Sequence, residues 1–230
     1  MSRFVEQADA VIADARRRGV LLIATGGTPL AYQALFEGLF VGPGADPAVR
    51  ARLRAEAADR LHARLAEVDP AAAERIHLND TKRLIRALEV YELTGRPISS
   101  FQTAWAEASR RHDAEWFGLV WDREALNRRI NARVKQMIAM GWLDEVRGLM
   151  QRHGSLSQTA SEAAGYRELM ACARGEVSLE DAVEQIKIST RQLARRQTKW
   201  FRRFEQVQWL AGEDDPAVLA DQIIQTVSPG

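Results

Sequence analysis

Residues 19–29 read GVLLIATGGTP, and this stretch decides the fold class. Val20 to Ala24 is a short, continuously apolar run, the pattern of a strand buried on both faces of a parallel sheet. Gly26 and Gly27 permit a tight turn, Thr28 can cap the next helix through its hydroxyl, and Pro29 suits a first helical position because no amide donor is needed there. Ahead of the run, Phe4 to Arg18 predicts a helix with Val5, Ala8, Val11, Ile12 and Ala15 at helical spacing, stopped by Gly19. Helix, strand, glycine turn and helix together imply an α/β protein. Such a turn aims free N–H groups beyond the strand's carboxyl end, where they can meet a phosphate or another polar ligand, or serve only to reverse the chain.

Outward from that unit, Pro47 to Glu67, Pro70 to Arg75 and Asp80 to Leu93 predict charged helices, the last ended by TGRP, while Ile98 to His112 stays unassigned. Glu115 to Trp121 (EWFGLVW) predicts a second strand, with Asp122 placed to cap the following helix. In that helix Leu126, Ile130, Val134 and Met137 form an apolar stripe. Gly141 interrupts it, and a helix near Leu143 to Arg152 and a loop through HGSLSQTASEAAGYREL follow. Ser178 and Asp181 fit a capping box opening a long helix to about Phe204. VQWL resembles a last strand, and Pro216 to Val227 a closing helix. The organisation expected is an α/β core from 1–44 and 114–230, with 45–113 as an inserted helical subdomain.

The composition narrows the function classes. The chain has 230 residues and 46% apolar content, without a run of about 18 apolar residues that a membrane span requires. The opening MSRFVEQADAV carries charge where a signal peptide needs an apolar core. Cys172 is the one cysteine, so no internal disulfide framework exists, and His62, His77, His112 and His153 show no metal-ligand spacing. These features predict a cytoplasmic protein without structural zinc.

Lys and Arg total 32 against 31 acids, a net charge of +1, yet the basic residues cluster. From Arg191 to Arg203 there are six Lys/Arg and no acid, and Arg191, Arg195, Lys199 and Arg202 fall along one side of a helix. Cations match phosphates and an aromatic ring can stack on an unpaired base, so Trp200 among these cations suits RNA. Phe201 and Phe204 read as core residues, and Trp200 could face either way. Lys82, Arg83 and Arg86 occupy the first turns of their helix, against its macrodipole, which suits either an anionic ligand or an Arg86–Glu89 pair along the helix. Arg129 and Arg133 border the apolar stripe. Partial withdrawal from water would oblige them to take an anionic partner, a diphosphate or a carboxylate.

No GxxxxGK[ST], GxGxxG or HExxH occurs. Six stretches in order, however, are specific together: GGTPLAYQALFEGLF (26–40), ADPAVRARL (45–53), IHLNDTKRLIRALEVYELTGRPIS (76–99), RINARVKQMIAMGWLDEVRGL (129–149), AAGYREL (163–169) and STRQLARRQTKWFRR (189–203). In these residues the chain resembles the tRNA dimethylallyltransferases, also called tRNA isopentenyltransferases.

The resemblance implies a P-loop-like parallel sheet, helix-rich and lacking its N-terminal strands here. It implies transfer of a dimethylallyl group from dimethylallyl diphosphate to the N6 amine of the adenosine beside the tRNA anticodon, assisted by Mg2+. Arg133 and Thr28 match catalytic positions, and Arg133 with Arg129 matches the diphosphate site. Contact with tRNA is implied for Thr28 and Arg50, for Lys82, Arg83, Leu84, Ile85 and Arg86, and for Glu162, Ala163, Ala164, Gly165, Tyr166 and Arg167. It is implied likewise for Arg195, Arg196, Gln197, Thr198, Lys199, Trp200, Phe201 and Arg202. The family's P-loop, and the DS motif whose aspartate acts as base on the amine, are not in the sequence; Leu78 replaces the proline of HPND. No protein ligand for the metal is therefore expected from these residues, and a monomer is expected. The alternative is a non-catalytic tRNA-binding chain that has kept the basic surface.

Overall fold

The computed structural model describes residues 2–38, 42–101 and 111–227. Within the stretch left unassigned, Ile98 opens a helical turn, and 102–110 lie outside the described residues. The chain divides into two compact units, Met1–Asp113 and Ala114–Gly230. Residues 1–44, which the sequence groups with 114–230, cluster here with 45–113.

In the first unit, α1 (Ser2–Arg17) packs on α2 (Pro29–Phe36) through the buried Val5, Ala15, Ala34 and Leu35. Asp9 of α1 accepts hydrogen bonds from Arg111 Nη2 at 2.7 Å and His112 Nε2 at 2.8 Å. Burial raises the Asp9 carboxyl, and these two bonds outweigh it, leaving the group below its ordinary value.

The segment between α1 and α2 overturns one expectation. Val20 to Ala24 forms no strand, and Leu21 and Ile23 are 77% and 78% exposed. A strand exists only when a neighbour satisfies its backbone donors and acceptors, and among the described residues the sheet comprises two strands elsewhere in the chain. The turn differs as well. Neither Gly26 nor Gly27 has a positive φ. Thr28 is exposed and its hydroxyl makes no cap; its carbonyl accepts the Ala31 amide at 2.9 Å instead, and Pro29 takes the first helical turn as expected.

The rest of this unit is helical: α3 (Pro47–Arg54), α4 (Ala58–Val68), α5 (Pro70–Arg75) and α6 (Thr81–Thr94). The single helix predicted over Pro47 to Glu67 is two, because a break at 55–57 lets both segments pack on α6. Arg64 spans that break, donating to Glu56 at 2.5 Å and to Glu92 of α6 at 2.8 Å. Leu53, Leu61, Leu65, Leu84 and Val90 are fully buried, and each such side chain contributes about 1.5–3 kcal/mol. Asp69 is buried while capping α5 and accepting the Ser99 amide at 2.9 Å. Gly95, at φ +67°, closes α6 in a left-handed conformation open to glycine.

The second unit runs β1 (Trp116–Val120), α7 (Arg123–Ala139), α8 (Trp142–His153), α9 (Gln158–Ser161), α10 (Tyr166–Ala173), α11 (Leu179–Phe201), β2 (Val207–Ala211) and α12 (Pro216–Val227). β1 and β2 are parallel, with Trp116 opposite Val207 and Val120 opposite Ala211. A parallel pair needs a long crossover, which the helices between the strands supply. Val134, Trp142, Leu143, Val146, Leu169 and Ile186 form the core joining α7, α8, α10 and α11. Both predicted caps form: Asp122 Oδ1 accepts the Glu124 and Ala125 amides at 2.9 Å, and Ser178 Oγ accepts the Asp181 amide at 3.0 Å. Amide bonds to the ionised Asp122, first that of Ala125, hold its carboxyl below the ordinary range.

Candidate functional site

At the start of α6, Asp80 Oδ1 accepts the Arg83 amide at 3.2 Å, and Asp80 Oδ2 pairs with Arg83 Nε at 3.2 Å. His77, Asn79, Asp80, Thr81 and Lys82 line an open depression of about 530 Å³ beside this helix start. The Leu84 and Ile85 side chains turn into the core, whereas Lys82 and Arg83 are exposed on the helix start. Arg86 takes the second of its two readings: Nη1 donates to Glu89 Oε2 at 2.6 Å and Nη2 to the Pro43 carbonyl at 2.8 Å. Arg50 grips the same carboxylate with two bonds, Nε to Oε1 at 2.8 Å and Nη2 to Oε2 at 3.0 Å. The Asp46 amide adds a third partner at 2.8 Å. Glu89 is fully buried. Burial pushes its carboxyl up, but Arg50, Arg86 and the Asp46 amide outweigh burial and keep it ionised below its ordinary value.

In the second unit the cations are differently placed. Arg129 and Arg133, one turn apart on α7, are exposed rather than withdrawn from water. The burial expected of at least one guanidinium fails because the stripe beside them is only partly buried apart from Val134. Neither arginine has a carboxylate partner among the described residues. Arg129 instead lies over the Trp121 ring, its Cζ 5.0 Å from the centroid.

α11 packs on α7, and Arg191 Nη1 donates to Asn131 Oδ1 at 2.8 Å. Near the start of α11 the charge is self-neutralised, because the nearly buried Lys187 donates to Glu184 at 2.5 Å. That bond, with Lys187, Arg191 and Lys135 nearby, holds the Glu184 carboxyl down. Farther on, Arg195, Arg196, Lys199 and Arg202 are exposed and have no carboxylate partner among the described residues. Gln197, Thr198, Trp200 and Phe201 are half-buried, and the Thr198 hydroxyl donates to the Ala194 carbonyl at 3.1 Å. Phe204 is buried against Trp116, ring centroids 5.1 Å apart, and Phe201 lies 6.0 Å from Phe204. The two phenylalanines thus anchor the helix to the amino end of β1, whereas Trp121 and Arg129 stand at its carboxyl end.

Glu162, Ala163 and Ala164 are exposed ahead of α10. Gly165 is buried at φ +84°, and a Cβ there would lie 2.3 Å from the Trp142 ring, so both conformation and space demand glycine. The Tyr166 hydroxyl donates to Glu145, which with burial raises its pKa. Together these contacts present Arg167, whose side chain is 84% exposed. Thr28 belongs to the first unit and Arg133 to the second. Among the described residues no three His, Cys, Asp or Glu side chains gather to hold a metal ion. None of the helices there is long and apolar enough to cross a membrane.

The sequence matches the profile of the IPP transferases over residues 1–204. The chain belongs to the IPP transferase family. It is 45% identical over 224 residues to a tRNA dimethylallyltransferase of Pelotomaculum thermopropionicum, covering 95% of this chain and 71% of that relative. The solved tRNA isopentenylpyrophosphate transferase of Bacillus halodurans matches with a TM-score of 0.67 at 32% identity, over 98% of this chain and 72% of that one. A eukaryotic dimethylallyltransferase acting on tRNA gives a TM-score of 0.79 at 25% identity, over 99% and 62%. The helix-rich α/β fold is that of these family members.

Two participants escaped the sequence reading: Trp121 and Asn131. Trp121 carried one signal, its place directly after a strand and before a helix cap, where α/β proteins bind ligands. Asn131 carried none.

Proposed function

We propose that this chain serves the transfer of a dimethylallyl group from dimethylallyl diphosphate to the N6 amine of the adenosine beside the tRNA anticodon. The observation that carries the reading is that Arg129 and Arg133 on α7 and Arg195, Arg196, Lys199 and Arg202 on α11 and its end are exposed and have no carboxylate partner among the described residues, at positions where the family resemblance implies diphosphate and tRNA. In the transfer, the allylic C–O bond breaks and an N–C bond forms. The diphosphate leaves with the electron pair, and the amine gives up a proton. Negative charge grows on the leaving oxygens, so guanidinium groups that are not already neutralised stabilise the transition state more than the ground state. Arg133 and Arg129 take that role in this reading. Arg195, Arg196, Lys199 and Arg202 hold tRNA phosphates, with Trp200 beside them. Magnesium, when bound, would neutralise charge on the diphosphate; among the described residues no three His, Cys, Asp or Glu side chains gather to hold it. The site of action is the cytoplasm.

A second reading is tRNA binding without transfer, for which the exposed cations along the second half of α11 suffice without a diphosphate site. Incubating the purified chain with radiolabelled dimethylallyl diphosphate and tRNA separates the two. Label in tRNA establishes transfer. Salt-sensitive binding without label leaves the chain a binder, and absence of binding contradicts both.

A further inference from the structure

We propose that Trp121 is a positioning residue for Arg129: its indole holds the guanidinium at the carboxyl end of the sheet, ready for a diphosphate, and Gly212 leaves the space the indole needs. The inference rests on the reading of Arg129 as a diphosphate ligand.

Gly212 follows β2, and its amide donates to the Val120 carbonyl at 2.7 Å, extending the strand pairing to the residue before Trp121. A Cβ on Gly212 would lie 2.0 Å from Trp121 Nε1, with Cδ1 at 2.4 Å and Cε2 at 2.6 Å. Gly212 does not have a positive φ, so its missing side chain is used for space and not for backbone freedom. The pyrrole side of the indole therefore lies directly against Gly212, the residue after β2. Over this fixed ring stands the Arg129 guanidinium, 5.0 Å from Cζ to centroid.

Two acids near this rim are engaged: Asp122 caps α7, and Glu213 Oε1 accepts the Asp122 amide at 3.1 Å. Arg129 forms no ion pair among the described residues, so the ring supplies the contact that restrains it. A free arginine side chain loses considerable rotamer entropy when it docks on an anion. Stacking removes part of that loss in advance, and it occupies the face of the guanidinium while leaving the in-plane N–H donors for phosphate oxygens. Among the described residues Arg133, one turn farther along, has no such aromatic contact.

The test uses the full chain and inorganic pyrophosphate. In 15N-arginine NMR spectra the Arg129 Nε–H signal should be displaced by the indole ring current, return toward the free-arginine position in Trp121→Leu, and keep part of its displacement in Trp121→Phe. Trp121→Leu should weaken pyrophosphate binding about two- to fivefold, the range expected of an exposed cation–π contact, with Trp121→Phe retaining most of the affinity. In an Arg129→Ala background, Trp121→Leu should change nothing further. Should Trp121→Leu fail to fold, Gly212→Ala, which keeps the indole but moves it, must give the same loss only when Arg129 is present. An undisplaced Arg129 signal, or equal losses with and without Arg129, would overturn the positioning role. A displaced signal with pyrophosphate affinity indifferent to Arg129→Ala would instead refute the diphosphate reading, and the role assigned to Trp121 would fall with it.

Discussion

Helices α6 and α11 look alike as sequences, each a basic run interrupted by apolar residues, yet they use their charge oppositely. Around α6 the cations are committed: Arg50 and Arg86 to the buried Glu89, Arg52 and Arg64 to Glu92, Arg83 to Asp80. Along the second half of α11 the exposed cations have no carboxylate partner among the described residues. The difference comes from one or two acids. Where Glu89 sits inside the helical core, arginines must turn inward to satisfy it, because a buried carboxylate without partners is costly. Where no acid intervenes between Arg191 and Arg203, the same residue types remain available to an external anion. A basic helix is a ligand surface only after its own carboxylates have been counted.

The largest effect that would break this comparison is expected at Glu89. Glu89→Ala should destabilise the chain by about 2–4 kcal/mol, because it strands two part-buried guanidiniums, with tRNA affinity of the folded protein nearly unchanged. Chemical denaturation and filter binding measure the two separately; a loss of affinity without a loss of stability would reverse the assignment of α6. Next is the pH dependence of the same group. Its folded pKa lies below the unfolded value, so its stabilisation is present above about pH 4.3 and is lost as pH falls through the carboxylate range. The stability gap between wild type and Glu89→Gln should therefore narrow in acid, and a constant gap would show that the ion pairs contribute little.

On α11, Arg195→Ala and Lys199→Ala should each flatten the plot of log affinity for tRNA against log salt by about 0.7, the counterion term for one single-strand phosphate contact. Unchanged slopes would remove this helix from the RNA surface. The smallest effect belongs to Arg83→Ala, whose exposed pair with Asp80 should contribute no more than about 0.5 kcal/mol to stability. A larger value in thermal melts would mean that the start of α6 is held as firmly as its middle.

Local features were legible because local chemistry decides them. The caps at Asp122 and Ser178, the closing Gly95 and the helix start at Pro29 need only neighbours within a turn. The Val20 to Ala24 run was misread because an apolar segment becomes a strand only beside another strand, which periodicity does not report. The break between α3 and α4 was missed for a related reason: packing on α6 and the reach of Arg64 are tertiary facts. At the site, the i,i+3 spacing of Arg86 and Glu89 offered the right pair without saying that Arg50 joins it. The Trp121–Gly212 contact was invisible, since it joins the ends of two strands separated by a long helical crossover.

Anion binding should belong to the cations that have no carboxylate partner among the described residues, and not to positive charge in general. This is tested most directly by comparing the salt dependence of tRNA affinity in two doubly substituted chains. Arg195→Ala with Lys199→Ala removes two free cations, and Arg52→Ala with Arg64→Ala removes two committed ones. The first should give a flatter slope and the second the wild-type slope; equal flattening in both, or flattening only in the second, would show that the committed cations bind tRNA as well.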